Sequence, residues 1–358
     1  MIGMKILQII PHLYLGGAET MCETLTYELI KKGHEVIILS MFTIKTPITE
    51  RMEKAKVDIR YLDKKGGFDF SMFSKISKII IEEKPDVVHS HHAALKYIAP
   101  VAYKRKVKKI VHTVHSIAQK ESGIFSRVLN KFFFKHYGVV PVALSELVKE
   151  TVVETYKMQP KDVPYIYNGV DLSMCTPKKE YETHGAVKIF HIGSFYQPKN
   201  HIGLIRAFHK VWLKYPQCQL HLIGEGVEQK HIQKYVQDNG LEKSVFFLGA
   251  QSNVFDLIKD ADVFTLPSNY EGIPMSLIEA MGTALPIVAT GVGGIPDMIQ
   301  NEVSGLIVEV DDDRIAEGLF RLVENEGLRK TLGQNALTEA DRFSSKKMAE
   351  KYLEVYKN

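Results

Sequence analysis

The sequence predicts an α/β protein built of two doubly wound parallel-sheet domains, and three observations predict it. The chain has 358 residues, about twice a usual domain. Short β-rich apolar runs alternate with helix-length segments almost throughout, the β-α-β-α order of parallel sheets. One stretch, NGVDLSMCTPKKEYETHGA at 168–186, carries turn residues and no periodicity and divides the strands into two sets. Hydrophobic residues make up 45% and charged residues 25% of the chain, which excludes a mainly disordered or fibrous protein.

In order, the first strands are KILQII (5–10), EVIILS (35–40), DIRYL (58–62), DVVHS (86–90), KIVHTV (109–114), GVVPVAL (138–144) and VPYIY (163–167). The second set is VKIFHI (187–192), CQLHLI (218–223), SVFFLG (244–249), DVFTLP (262–267), LPIVAT (285–290) and SGLIVE (304–309). Near-continuous apolar runs of this kind suit strands covered by helices on both faces. The segment FSRVLNKFFFKHY (125–137) sets Phe125, Val128, Leu129, Phe132 and Phe133 near one face at helical spacing, with Arg127, Lys131, Lys135 and His136 beside them. It is either an interfacial amphipathic helix or a core-packed helix with its lysines outside. The run DDD at 311–313 caps a helix, and 344–358 forms a last helix capped by Ser344 or Ser345. The domains expected are 1–170, with 344–358 added to it, and 171–343.

The net charge of +4 hides an asymmetry. Residues 1–170 hold 26 Lys and Arg against 17 Asp and Glu; the remainder holds 20 against 25. A basic half suits an anionic partner or simply solubilises helix surfaces. Cys22, Cys175 and Cys218 are scattered, with neither a disulfide framework nor zinc spacing, as in a reducing compartment. No apolar run approaches the ~18 residues of a membrane span, and the start reads as a strand rather than a signal peptide. A cytoplasmic protein is expected, at most peripheral on the inner face of the membrane.

In doubly wound sheets ligands bind beyond the carboxyl ends of the strands. The strongest such signal is PSNYEGIPMSLIEAMGTALPIVATGVGGIPD (267–297). A strand ends, a polar loop carries Glu271 and Gly272, and Pro274 takes a first helical position, where its missing N–H costs nothing. Glu279 follows Glu271 by eight residues, about two turns into the helix. The helix N-terminus offers free N–H groups to phosphate, and the carboxylates suit sugar hydroxyls. Gly16 and Gly17, in LGGAE after the first strand, can point N–H groups at an anion in the same way. GVGGIPD (291–297) is a further glycine-rich loop. His89, His91, His92, His112 and His115 gather around two adjacent strand ends. A metal site there is conceivable, but no carboxylate or cysteine ligand set accompanies it.

The 267–297 segment resembles the E-x7-E signature of the large retaining glycosyltransferase family with the GT-B fold, of the family 4-like type found in bacterial polysaccharide and lipid-linked glycan synthesis. The likeness spans nearly the whole chain through LGGAE (15–19), PDVVHSH (85–91), HTVHS (112–116), YNGVD (167–171) and QPKN (197–200). The resemblance implies two Rossmann-like domains facing across a cleft, with the C-terminal helix crossing back to the first. It implies a donor site of Gly16, Gly17, Gly249, Gly272, Ile273, Pro274, Met275, Ser276, Leu277 and Glu279. There Glu271 holds donor-sugar hydroxyls, Glu279 the ribose, His115 the donor sugar and Lys199 the departing diphosphate. FLGAQ (247–251) frames the base, and His91 lies near the acceptor. His89 and His112 are expected to be structural. Ser194 stands where the family usually has an arginine.

The reaction so implied is retaining transfer of a hexose or N-acetylhexosamine from a nucleotide sugar, UDP-linked, to a carbohydrate or lipid-linked acceptor. No metal and no cofactor are expected. The segment 104–137 suits an anionic membrane surface, and no nucleic-acid module accompanies its cations. Two alternatives stay open: a nucleotide-sugar epimerase of similar fold, and a non-catalytic sugar-binding assembly protein.

Overall fold

The structure is a computed structural model that describes residues 3–358 except 122, 184 and 252. It divides into two compact units, Met1–Gly169 with Ser345–Asn358, and Val170–Ser344. The sheet of the first unit contains β1 (Lys5–Ile10), β2 (Glu35–Ser40), β3 (Asp58–Tyr61), β4 (Val87–His91), β5 (Lys109–Val114) and β6 (Val139–Ala143). All pairings are parallel, in the order β3-β2-β1-β4-β5-β6. Alternation sends Leu7 and Ile9 to one face and Ile6 and Ile10 to the other, and both faces are buried. This is why β1 reads as a mostly apolar run, broken only by Gln8 after its first lysine.

On the first face the helices Ser71–Glu83, Leu95–Lys104 and Glu146–Tyr156 add Ile76, Ile98 and Val152 to the core. On the second face Gly17–Lys31 packs beside the last helix, Ser345–Lys357. That last helix is held by specific bonds. The Tyr356 hydroxyl lies 2.7 Å from His89 Nδ1, and the Tyr352 hydroxyl 2.8 Å from Thr113 Oγ1. The Ser345 hydroxyl donates to Glu28.

The segment 163–167 is not a strand. It makes one isolated bridge, Tyr165 to Ala143, through Ala143 N–H to the Pro164 carbonyl and Ile166 N–H to the Ala143 carbonyl. Pro164 has no N–H to extend the ladder, and β6 ends at Ala143.

The second unit carries β7 (Lys188–Ile192), β8 (Gln219–Ile223), β9 (Val245–Phe247), β10 (Val263–Leu266), β11 (Ile287–Thr290) and β12 (Leu306–Val308). Their order, again parallel, is β12-β11-β10-β7-β8-β9. The helices His201–Lys214 and Asp312–Glu324 pack together over this sheet. Asp311 caps the second of these by accepting from the Asp313 and Arg314 amides. The stretch 168–186 is more firmly held than its lack of periodicity suggests. Tyr181 is buried, its hydroxyl donates to the Ala284 carbonyl, and its own carbonyl accepts from the buried Arg329 guanidinium.

Each sheet reverses its strand order once, between β1 and β4 in the first unit and between β7 and β10 in the second. At such a switch point the connecting helices diverge to opposite faces and leave a crevice beyond the strand ends.

Candidate active site

In the second unit the loops after β7 and β10 meet at the switch point. Asn200 Nδ2 donates to the Pro267 carbonyl at 3.0 Å, and Asn269 Nδ2 to the Gln197 carbonyl at 2.9 Å. This ties the short 3-10 turn Gln197–Lys199 to the loop that carries Glu271. Lys199 Nζ then lies 2.6 Å from Glu271 Oε1, an oxygen that also accepts from the Ser268 hydroxyl at 2.6 Å. Ser268 is in turn fixed by Thr290, whose hydroxyl donates to the Ser268 carbonyl at 2.6 Å. Glu271 is buried, so a carboxylate and an ammonium are held together with little water around the carboxylate. Charge-assisted bonds of this kind are short and directional.

The glycine loop after β11 closes over the same backbone. Gly294 N–H donates to the Gly272 carbonyl at 3.0 Å. Gly293 has a φ of +58°, and a side chain there would run into the Glu271 carbonyl. A Cβ at Gly294 would come within 2.6 Å of the Gly272 carbonyl oxygen. Only glycine permits this approach.

The helix that follows runs Met275–Gly282, and Pro274 is its N-cap, with extended ψ of 124°, rather than its first helical residue. Glu279 is thus the fifth residue, little more than one turn in, and not two turns as its spacing from Glu271 suggests. The reason is that Glu271, Gly272 and Ile273 are spent in the loop before the cap. The first amides of this helix have no carbonyl partner within it. Ile273 and Leu277 are core residues, Met275 is half-buried, and Ser276 is buried at the helix start. Glu279 is buried as well, and burial pushes its carboxyl up to about 7.

Other residues at this end of the sheet escaped the sequence analysis. The loop after β8, Gly224-Glu225-Gly226, packs on the loop after β7. A side chain at Gly224 would meet the Gly193 carbonyl, and one at Gly226 would meet the Phe195 carbonyl at 2.5 Å. Gly224 N–H donates to the Gly249 carbonyl, and Glu225 accepts from the Ala250 amide. Gly249 itself has a φ of +69°. The signal was present: Gly224 and Gly226 follow directly on the apolar strand that ends at Ile223. Ser194 is exposed in the loop after β7.

In the first unit, Gly16 caps the helix Gly17–Lys31, and no atom crowds Gly17. The Glu19 carboxylate folds back over this N-terminus, close enough that a Cβ on Gly16 would meet it at 2.5 Å, and its other oxygen lies 3.3 Å from His12 Nδ1. The five histidines split by environment. His89 uses both ring nitrogens, toward Tyr356 and Thr113, and His112 pairs with the Ser90 hydroxyl at 2.9 Å. His91 Nδ1 lies 3.1 Å from His115 Nε2, and His91 Nε2 lies 3.1 Å from Gln8 Oε1. Burial holds His89, His91 and His115 well below the usual imidazole range. Burial also lowers His92, but its pairing with Glu121 at 3.4 Å outweighs that, and its net shift is upward. Among the described residues, no group of three or more His, Cys, Asp or Glu is arranged to hold a metal ion.

The helix at 125–137 forms as Ile124–His136, but its apolar residues divide differently from the expected single face. Phe133 turns into the core, joined by Phe134 against Tyr156. Phe125 and Val128 are 75% and 64% exposed, and Ile124 and Phe132 are exposed with them. The core-packed reading holds for the face carrying Phe133 and Phe134, while Ile124, Phe125, Val128 and Phe132 lie on the opposite, exposed face. Among the described residues, no helix is long and apolar enough to cross a membrane.

Two family models match, end to end. The model described as Glycosyltransferase Family 4 covers residues 15–174, and that of Glycosyl transferases group 1 covers residues 174–339. The N-acetyl-alpha-D-glucosaminyl L-malate synthase of Bacillus anthracis is 28% identical over 96% of this chain and 94% of its own. The UDP-Gal:alpha-D-GlcNAc-diphosphoundecaprenol alpha-1,3-galactosyltransferase of Escherichia coli is 24% identical over 80% of this chain and 79% of its own. The crystal structure of Anabaena HepE in complex with UDP and glucose superposes with a TM-score of 0.86 at 18% identity, over 99% of this chain and 100% of that one. With two six-stranded parallel sheets, each ending in a glycine-framed switch point, and these matches across both halves, the chain belongs to the GT-B glycosyltransferases, with a Family 4 domain followed by a group 1 domain.

Proposed function

We propose that this glycosyltransferase moves a hexose or N-acetylhexosamine from a UDP-sugar to a carbohydrate or lipid-linked acceptor, with retention at the anomeric carbon and without a metal ion. The observation that carries the reading is the cluster in the second unit. Lys199 is locked to Glu271 beside an open helix N-terminus, with the buried Glu279 little more than one turn along that helix. Lys199 and the helix amides offset charge that develops on the departing diphosphate, the task a divalent ion performs elsewhere. Glu271 accepts from donor-sugar hydroxyls, and Glu279 from the ribose. Gly249, in the loop after β9, frames the base, and Gly16 and Gly17 offer amides to the phosphates. His115 contacts the donor sugar, and His91 lies toward the acceptor. The relatives support the donor and acceptor classes by name: HepE was crystallised with UDP and glucose, and the Escherichia coli enzyme uses UDP-Gal and a diphosphoundecaprenol acceptor. The exposed Ile124, Phe125, Val128 and Phe132, with Arg127, Lys131 and Lys135 on the same helix, suit a peripheral position on an anionic membrane carrying a lipid-linked acceptor.

Ser194 favours a second reading, a non-catalytic sugar-binding assembly protein, because serine supplies neither the charge nor the donors of arginine. One experiment decides. The protein is incubated with UDP-glucose, UDP-galactose and UDP-N-acetylglucosamine in excess chelator, with and without a polyprenyl-diphosphate sugar acceptor, and the products are read by NMR. An α-linked product is expected. An inverted linkage removes the retaining mechanism, turnover only after metal addition removes the metal-free one, and a new nucleotide sugar without acceptor indicates an epimerase. Absence of both transfer and donor hydrolysis supports the non-catalytic reading.

A further inference from the structure

The buried hydrogen bonds at the end of β1 and β4 have a direction that chemistry fixes. Gln8 is fully buried, with Nε2 2.8 Å from Thr26 Oγ1 and Oε1 3.5 Å from Cys22 Sγ. The Thr26 hydroxyl donates its one hydrogen to the Cys22 carbonyl at 2.7 Å, so toward Gln8 it can only accept. Burial pushes the Cys22 thiol far up, so it stays protonated and donates. Both neighbours therefore demand the amide orientation seen: nitrogen toward Thr26, oxygen toward Cys22 and His91.

An amide oxygen carries no hydrogen, so His91 Nε2 must donate across the 3.1 Å to it. His91 is neutral, which leaves its Nδ1 bare and able only to accept, and the group that reaches it at 3.1 Å is His115 Nε2. His115 is neutral too, so with its proton on Nε2 its Nδ1 is a bare acceptor. That Nδ1 is shielded from solvent and has no hydrogen-bond partner among the described residues. The His92 ring, 4.6 Å away and paired with Glu121, adds repulsion against protonating His115. A buried acceptor left unmatched is unfavourable, and a hydroxyl of a ligand would relieve it.

We propose that Gln8 and His91 are positioning residues that lock His115 in its Nε2–H tautomer, so that Nδ1 accepts a hydrogen bond from a hydroxyl of the donor sugar. The inference rests on the reading of His115 as a donor-sugar contact and gives that contact a polarity. It selects for a ligand O–H at this position and against a group that can only accept.

The test is long-range proton–nitrogen correlation NMR on the full chain labelled at histidine, with His115 assigned by difference against His115→Gln. A single Nε2–H tautomer is expected in the unaltered protein. Gln8→Leu removes the acceptor that orients His91 and should give a mixture of His115 tautomers, whereas Gln8→Glu retains an oxygen and should retain the tautomer. Calorimetry with UDP-glucose, UDP-N-acetylglucosamine and UDP then reads the consequence. Gln8→Leu and His115→Gln should each lower affinity for a UDP-sugar about tenfold relative to UDP and leave affinity for UDP itself unchanged. An Nδ1–H tautomer in the unaltered protein, which needs no variant to observe, overturns the relay. So does a tautomer that Gln8→Leu does not move. The expected tautomers with an unmoved ratio of UDP-sugar to UDP affinity in both variants overturn instead the assignment of His115 to the donor sugar.

Discussion

In the proposed donor site, Glu279 is where stability and binding oppose each other. Its carboxyl is buried and titrates near about 7, raised by burial alone. The folded state therefore holds a proton that the unfolded chain releases near its ordinary value, and stability falls as pH rises between the two values. The loss is about 3 kcal/mol by pH 8. Glu279→Gln should raise the melting temperature at pH 8, by about 5 °C, and leave it little changed at pH 4. On the proposed ribose contact the same variant should weaken UDP binding, because an ionised carboxylate is the form that would accept from two ribose hydroxyls. In the unaltered protein UDP affinity should rise from pH 6 to pH 8, and in Glu279→Gln that dependence should disappear; calorimetry at three pH values checks both. For Lys199→Ala the loss should fall on kcat, about a hundredfold, with a smaller change in donor affinity, since a cation facing the leaving diphosphate acts most in the transition state. An equal loss in donor affinity with kcat unchanged would show that Lys199 only binds.

Among elements, the glycine loop after β11 and the helix Ile124–His136 show two ways in which local sequence is put to use. Gly293 adopts a left-handed conformation directly against the Glu271 carbonyl. Gly293→Ala should displace the loop carrying Glu271, with about 1–3 kcal/mol of destabilisation and a loss of activity larger than unfolding explains. Circular dichroism and turnover on the same samples separate the two. In the helix, Phe133 and Phe134 hold the core while Phe125 and Val128 remain exposed. Phe125→Ser with Val128→Ser should leave the melting temperature unchanged within about 2 °C and reduce sedimentation with anionic phosphatidylglycerol vesicles. Equal binding of both proteins to those vesicles would return this face to ordinary surface.

For the whole molecule, the buried neutral histidines set an acid limit. His112 and His191 are lowered to about 4 by burial, and His89, His91 and His115 are held well below their usual value. The unfolded chain binds these protons near pH 6.5 and the folded chain does not, so stability is full above that pH and falls as pH drops toward 4. Each group contributes up to about 1.4 kcal/mol per pH unit. His92, raised by Glu121, acts in the opposite sense and loses its contribution as pH rises past its folded value. The many outweigh the one, and the melting temperature should fall by more than about 5 °C between pH 6.5 and pH 5. A flat profile there would mean that these rings take up protons in the fold.

Much of this protein is written locally. Runs of five to seven mostly apolar residues between helical segments locate the twelve strands of the described residues, because a strand covered on both faces leaves few polar positions to disguise it. VPYIY carries the same composition and fails as a strand, because Pro164 has no amide to pair and β6 has already ended. The placement of Glu271, Glu279 and the glycine loops beyond strand ends could be read locally, because glycine and proline after an apolar run mark where a strand stops and a helix begins. What the sequence could not contain is which groups face one another. His91 takes its orientation from Gln8, 83 residues away, and His89 from Tyr356, 267 residues away. The lock of Lys199 on Glu271 spans 72 residues and exists only because β7 and β10 are neighbours at a reversal of strand order. Periodicity and turn chemistry are properties of adjacent residues and determine the elements. Proton direction, burial of a carboxylate and the division of one helix between core and surface are properties of neighbours in space, and only the tertiary structure decided them.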